Sequence, residues 1–484
     1  MINTVRRVVA PVIIALLGII ILNATILPVR ADNGTTAEAE TLPPSNFKVI
    51  GYYSGDLFDE PIDQLPTDKL THIIYAFLIP RTDGSLAPIQ KPDQLRELVT
   101  QAHRDGAKVL IALGGWWGEG QELEPVFEAV AANDELRIKL VENVRQMINN
   151  YDLDGLELDW EFPYQYSIAD YERLVLDLKT ALHQDGKELT AALNGAWSST
   201  EGPEPSMVLT DNCLHSFDFI NVMAYDINND EHSPLWFTET SIDYWLNRGV
   251  AAEDIVIGMP LYARPSWMQY RHLVELDPDN AFLNYVPTTP LASYYNGLNI
   301  LREKTIVALS RAGGVMLFDV NEDTLDEATS VVAMINDLRI RYQGMDSQAI
   351  AQQVSIILND RELVFNAVDG MGMPYIDENG RILIPVRKTL EAIEARLQYD
   401  ALSRTVTIIK DEIEVMLPID KNEMIINGHL SIMDSPALIR DGRTYVPLRA
   451  VLSAFGYEAE WHAGSRTAYF NRNEPPAESE PYHI

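Results

Sequence analysis

Cysteine is almost absent: the 484 residues hold one, Cys213. No intramolecular disulfide can form, and a Cys-rich zinc site or iron–sulfur cluster is excluded. The lone thiol reads as a small buried hydrophobe. Basic residues are scarce as well, with 37 Lys+Arg against 71 Asp+Glu and a formal charge of −34. Nucleic acid and anionic membrane carry phosphate that such a surface repels, so neither is expected as the main partner. A neutral ligand meets no such penalty. No Gly-rich phosphate cradle supports a doubly wound nucleotide-binding sheet. Apolar residues, at 46%, and aromatic residues, at 9%, are plentiful and exclude wholesale disorder. The length exceeds one ordinary domain of ~150 residues, although a single barrel takes ~250.

Arg6 and Arg7 precede an apolar run over about 8–27, and Val29-Arg30-Ala31 offers the small residues a signal peptidase accepts. Residues 1–31 are expected to be a signal peptide cleaved after Ala31. An uncleaved membrane anchor is the alternative, because the run nearly spans a bilayer. Pro11, Asn23 and Pro28 weaken a spanning helix, and no cysteine follows the run to carry a lipid. The protein is expected outside the cell, secreted or held at its surface, with 32–46 as a polar linker.

From residue 47 to about 342, eight apolar runs alternate with helix-like stretches. The runs are 48–53, 72–78, 108–113, 155–160, 189–194, 219–224, 255–260 and 314–318, and helical spacing marks 93–104, 134–149 and 169–183. Eight such units in ~275 residues is the count and length of an α/β (β/α)8 barrel. Chemistry in that fold sits at the C-terminal ends of strands. The fourth run ends in Glu157-Leu158-Asp159-Trp160-Glu161, where alternation places three carboxylates on one face and Leu158 and Trp160 on the other. Three carboxylates in one mouth repel one another, so at least one is expected to keep its proton at neutral pH. Glycoside hydrolysis needs that pairing of a protonated acid with an ionised group. A solvated edge strand is the bland alternative and a calcium or magnesium site the chemical one. No metal site and no cofactor is assigned.

The stretch Asp154-Gly155-Leu156-Glu157-Leu158-Asp159-Trp160-Glu161 resembles the signature strand of family 18 glycoside hydrolases, the chitinase family. Lys108 to Gly114-Gly115-Trp116 is similar to that family's third-strand motif and Met223-Ala224-Tyr225-Asp226 to its sixth. Gly51-Tyr52-Tyr53, Gly258-Met259-Pro260-Leu261-Tyr262 and Gly314 to Phe318 fall at matching strands. The resemblance covers about 47–340. It implies Glu161 as the acid that protonates the glycosidic oxygen, while the substrate's own acetamido group attacks the sugar with net retention. It implies that Asp159 orients that group, Tyr225 hydrogen-bonds its oxygen, Glu157 couples to Asp159, and Asp226 binds the sugar in a subsite walled by Tyr52. Trp116, Phe318, Tyr262 and Met223, from the matching stretches, complete the substrate-binding set. The implied partner is an N-acetylglucosamine polysaccharide such as chitin. Peptidoglycan or N-glycans cleaved by the same residues, or glycan binding without turnover, are the alternatives.

Three positions depart from the family pattern: Glu157 where Asp is usual, Ala112 where Ser is usual, and Phe318 where Trp is usual. Glu157 reaches one methylene further and Ala112 vacates a hydroxyl's space, so the first two are expected to compensate. Only about 50 residues separate Tyr262 from Gly313, so no deep α+β insertion is expected and the groove should be open. Trp116, Trp117, Trp197, Trp236 and Trp267 are candidates to stack on sugar rings, with ordinary core packing as the alternative.

The C-terminal third, about 348–472, repeats itself. Gly380-Arg-Ile-Leu-Ile-Pro385-Val-Arg387 and Ser403-Arg404-Thr405 return 62 residues later as Gly442-Arg-Thr-Tyr-Val-Pro447-Leu-Arg449 and Ser465-Arg466-Thr467. Two α+β units are read, about 348–410 and 411–472, each with a strand, a short helix (389–395 and 450–455) and a hairpin. They resemble the stalk-type domain named after the N-terminal domain of copper amine oxidase. Too few histidines are present for a metal, and His429 and His462 read as surface residues. Tyr399, Tyr445, Tyr457 and Trp461 read as scattered core, so a spacer or a cell-surface or wall contact is favoured over a carbohydrate binder. Residues 473–484 are expected to be disordered.

Overall fold

Apolar runs buried on both faces make parallel strands, because helices must cover the outer face and side chains must fill the inner one. Eight of them close into one barrel: β1 (Lys48–Tyr53), β2 (His72–Leu78), β3 (Lys108–Gly114), β4 (Gly155–Asp159), β5 (Glu188–Asn194), β6 (Phe219–Met223), β7 (Ile255–Pro260) and β8 (Gly314–Phe318). The computed structural model describes residues 46–55, 57, 61–227, 230–365 and 370–472. The signal-peptide reading, the linker up to residue 45 and the tail from residue 473 fall outside the described residues. Among the described residues, no helix is long and apolar enough to cross a membrane.

Neighbouring strands pair in chain order, and β1 closes on β8 with Lys48 opposite Gly314. The expected (β/α)8 barrel is therefore present. Alternation divides each strand between two cores. Ile50, Ile74, Leu110, Phe219, Val256 and Met316 fill the interior, and Val49, Ile73, Val109 and their equivalents pack outward on the helices. The helix Asp134–Tyr151 illustrates the outer layer. Asn133 caps it, its side-chain oxygen accepting from the backbone of Glu135 (3.0 Å) and Leu136 (3.2 Å). Asp134 and Glu135 sit in its first turn, and Leu140, Val144 and Ile148 bury one face.

The stretch between β7 and β8 is short, as expected, but not bare. It holds a three-stranded sheet (Arg264–Pro265, Ser293–Tyr294, Tyr285–Val286) and the helices Tyr270–Leu276 and Leu298–Arg311.

The two C-terminal repeats interlock. Strand Ser355–Leu358, at the start of the first repeat, pairs with Thr467–Arg472 at the end of the second. Ile382–Pro385 pairs with its own repeat counterpart Arg443–Pro447, Ile384 lying opposite Val446. Strands Glu423–Ile426 and His429–Ile432 extend the sheet of the first repeat's hairpin. One core, including Ile384, Leu390, Val446, Leu452 and Phe455, serves both copies. The short helices Val386–Ala392 and Leu448–Ala454 start earlier than expected, because Pro385 and Pro447 end a strand and open the helix directly.

This C-terminal unit is fastened to the barrel by buried charge. Glu303, on helix Leu298–Arg311, accepts from His462 Nδ1 (2.9 Å), Ser465 Oγ (2.5 Å) and the Tyr469 hydroxyl. His462 is thus an interface residue and not the surface residue expected. The Glu303 carboxylate pushes its imidazole up to about 9 against partial burial. A second clamp sets Glu362 between Arg341 (2.8 and 2.9 Å) and Arg302 (3.2 Å). Replacing Glu362 by Ala leaves the buried Arg302 guanidinium without its counter-charge, while Arg341 keeps Asp337, and a loss of about 3–5 kcal/mol is expected. Chemical denaturation of the intact chain measures it; an unchanged midpoint would show that the clamp does not hold the two parts together.

Candidate active site

Strand β4 carries the chemistry. Glu157 and Asp159 point inward from it and Glu161 follows its last residue, as the alternation of the sequence requires. Glu157 is fully buried, and its ladder neighbours are Ala112 on β3 and Thr190 on β5. Its Oε1 accepts from the Tyr52 hydroxyl (3.0 Å) and Asn221 Nδ2 (3.1 Å), and its Oε2 from the Thr190 hydroxyl. These three donors favour the carboxylate, but burial outweighs them and pushes the group up to about 7. The long side chain therefore reaches donors on β1, β5 and β6 across the barrel, beside the space that Ala112 leaves.

Asp159 lies one step nearer the mouth and is buried. Burial first, then the charges of Glu161 and Glu157, hold its carboxyl well above the usual carboxylate range. Its Oδ1 is buried without a hydrogen-bond partner, a group that costs stability unless something completes it. Glu161 is pushed up to about 7 by burial and by the charge of Asp226, against a hydrogen bond from the Trp116 backbone.

Asp226 sits at φ 59 just beyond β6, which turns its side chain across the mouth. Burial raises its carboxyl, but the partners win and hold it below its usual value. They are His232 Nδ1 (3.2 Å), the Tyr262 hydroxyl (2.8 Å) and Arg264 Nε (3.5 Å). The carboxylates of one mouth thus divide into protonated and ionised members.

Aromatic rings line this mouth. Phe318, at the end of β8, stacks on Tyr225 (centroids 6.3 Å, 26°) and leans on Tyr52 (5.5 Å). Tyr225 has room because residue 258 is glycine; a Cβ there would stand 2.7 Å from its ring. Gly114, at φ 123, lets β3 pass against β4, where a Cβ would lie 2.1 Å from the Asp159 carbonyl oxygen. Trp267 stacks on Tyr262 (5.4 Å, 12°), with the Arg264 guanidinium 4.0 Å from the Trp267 ring centroid. Trp116, Trp117, Trp197, Trp236 and Trp267 are all exposed, so none is an ordinary core aromatic.

The structure brings Glu157, Asp159, Glu161, Tyr225, Asp226, Tyr262 and Phe318 together at the mouth, with Met223 half-buried on β6 and Trp116 exposed after β3. Tyr52 stands deeper than a subsite wall: it is fully buried with its hydroxyl on Glu157. Thr190, Asn221, His232 and Arg264 were not anticipated. A signal for Asn221 existed, since it interrupts the apolar run Phe219-Ile-Asn-Val-Met223 on its inward face. Among the described residues, no group of three or more His, Cys, Asp or Glu side chains is arranged to hold a metal ion.

Residues 48–323, more than half of the chain, match the family model for glycosyl hydrolases family 18. The chain belongs to that family. Residues 357–470 match the model for the copper amine oxidase N-terminal domain. Among family 18 relatives, chitotriosidase-1 of Mus musculus is 30% identical over 224 residues, 40% of this chain and 47% of the relative. An endochitinase of Manduca sexta is 28% identical over 264 residues, 46% of each chain. The matched stretch thus spans about half or less of these relatives. The ChiB chitinase structure from Flavobacterium johnsoniae superposes with TM-score 0.53 at 24% identity, covering 62% of this chain and 97% of that one. A Cycas revoluta family 18 chitinase solved in complex with (GlcNAc)4 gives 0.53 at 20% identity, covering 60% and 99%. At these identities the structures show a shared fold.

The buried Glu157 carboxyl has a consequence for stability. Folding prefers its neutral form, so its contribution is full below about 4.5, the value of a free Glu, and is lost as pH rises through about 7. Glu157→Gln removes that titration. Between pH 5 and pH 8 the variant is expected to gain about 2–3 kcal/mol on the parent, measured by denaturant unfolding at both pH values. A difference that stays constant with pH would contradict a neutral Glu157.

Proposed function

We propose that this chain is a secreted hydrolase of β-1,4-linked N-acetylglucosamine polymers in which the substrate's acetamido group is the nucleophile. The observation that carries the reading is the division of labour along β4. Glu161 keeps a proton near neutral pH at the rim, and Asp159 offers a buried, unpartnered oxygen beneath it. In the first step the acetamido oxygen bonds to the anomeric carbon as the glycosidic bond breaks, and the Glu161 proton passes to the leaving oxygen. Asp159 Oδ1 accepts the acetamido N–H, while the Tyr225 hydroxyl holds the acetamido oxygen. Glu161, now ionised, takes a proton from the water that opens the ring, so the configuration is retained. Asp226, held ionised by Tyr262, His232 and Arg264, binds the sugar's hydroxyls, and Phe318 and the exposed tryptophans stack on its faces. The chitinase names of the relatives and the oligosaccharide in the Cycas revoluta structure support the substrate class.

Glu161→Gln keeps the shape and removes the proton. A fall of about 10²–10⁴ in kcat on N-acetylglucosamine oligomers is expected, with little change in KM. The parent's kcat/KM should fall above about pH 7, where Glu161 ionises. Steady-state kinetics over pH tests both, and an undiminished rate in Glu161→Gln would overturn the assignment. Purified peptidoglycan assayed in parallel fixes the polymer: Glu161-dependent cleavage of it alone would move the substrate to the cell wall with the chemistry intact.

A further inference from the structure

The C-terminal unit contains a cavity of about 700 Å³, within the ~300–1,000 Å³ of small-molecule sites. It lies between the two repeats, with Ile376, Gly380, Arg381 and Ile382 from the first and the rest of its lining from the second. Its floor is apolar, with Met433, Pro447, Leu448 and Phe470, and one wall is the indole of Trp461, 42% exposed. Trp461 lies opposite Ala468 in the ladder and its neighbour Ala459 opposite Phe470, so small side chains leave the indole standing clear of the sheet.

The cavity is also lined by three arginines. Arg381 is paired with Asp434 at 2.8 Å. Arg449 and Arg466 have no such partner among the described residues, and Nε of Arg466 is buried with no hydrogen bond at all. A buried guanidinium donor left open costs stability unless a ligand completes it. This is unusual in a chain of net charge −34, and the local balance differs from the whole. Residues 360–472 hold 13 Lys+Arg against 17 Asp+Glu, so the acid excess lies mainly elsewhere.

A shift of 62 residues maps Arg449, Arg466 and Trp461 onto Arg387, Arg404 and Tyr399, so both copies keep two arginines and an aromatic ring at the same places. Tyr399, expected as core, is likewise 46% exposed. In the first copy Arg404 is closed by Asp420 at 2.6 Å. In the second copy no carboxylate of the described chain closes Arg466.

We propose that this cavity binds an anionic glycan, a sugar ring stacking on Trp461 while its carboxylate or phosphate is held by Arg449 and Arg466. Planar forked guanidinium groups suit either anion, and an indole suits the apolar face of a sugar ring. The site is separate from the barrel mouth, and its test is binding, so it stands or falls apart from the catalytic reading.

The test is calorimetric titration of the intact chain and of its Arg449→Gln/Arg466→Gln and Trp461→Ala variants. The probes are N-acetylmuramic acid, N-acetylglucosamine 6-phosphate, unmodified N-acetylglucosamine and a tetraglutamate peptide. Hydrolysis of soluble N-acetylglucosamine oligomers by each variant checks that the barrel is intact and should be unchanged. One of the two anionic sugars is expected to bind at least tenfold more tightly than N-acetylglucosamine, and which one does so identifies carboxylate or phosphate. That advantage should vanish in the double arginine variant, and Trp461→Ala should weaken the anionic sugar at least tenfold. Equal binding of the neutral sugar, tighter binding of the peptide, or an advantage that survives loss of both arginines would each overturn the proposal.

Discussion

Three carboxyl groups at the end of one buried strand are the constraint to which the rest of the barrel answers. Water is excluded from Glu157 and Asp159, so charge on either is opposed by burial before any neighbour is considered. The fold meets that cost unevenly. Glu157 receives three hydrogen bonds, Asp159 keeps an oxygen with none, and Glu161 meets a single backbone donor at the rim. Asp226, across the mouth, is given enough partners to stay ionised. From that gradient follow an acid near neutrality, an acceptor without a partner and a fixed negative charge, all within one ring of strands.

Much of this was legible in the sequence because parallel strands announce themselves. Buried on both faces, they read as unbroken apolar runs, and all eight fell within one residue of their structural bounds. The carboxylates of β4 were legible for the same reason: three acids at alternate positions beside Leu158 and Trp160 have few other meanings. Less legible were the groups that serve them. Thr190 and Asn221 come from strands 33 and 64 residues away from Glu157, and only the register around the closed barrel brings them together. His232, in the loop after β6, and Arg264, on a two-residue strand after β7, meet Asp226 along paths that no local pattern fixes.

The C-terminal third shows a different limit. Its repeat was plain in the residues, but a repeated strand pairs equally well within its own copy or with the other, and periodicity does not choose. The structure uses both, so two copies share one core. The same ambiguity hid His462, which its own neighbourhood marks as exposed and which Glu303 of the barrel captures from 159 residues away. Clamped by Glu303 and Glu362, the unit is packed on the barrel's outer helix rather than trailing as a free spacer.

The central claim is that the sugar's own acetamido group attacks the anomeric carbon beneath Glu161. Time-resolved proton NMR of freshly cleaved N-acetylglucosamine oligomers tests it most directly, because it reads the anomer before mutarotation mixes the two forms. Acetamido participation inverts the centre twice, so the β-anomer is expected first. An initial α-anomer would mean direct attack by water and would contradict the roles given to Asp159 and Tyr225.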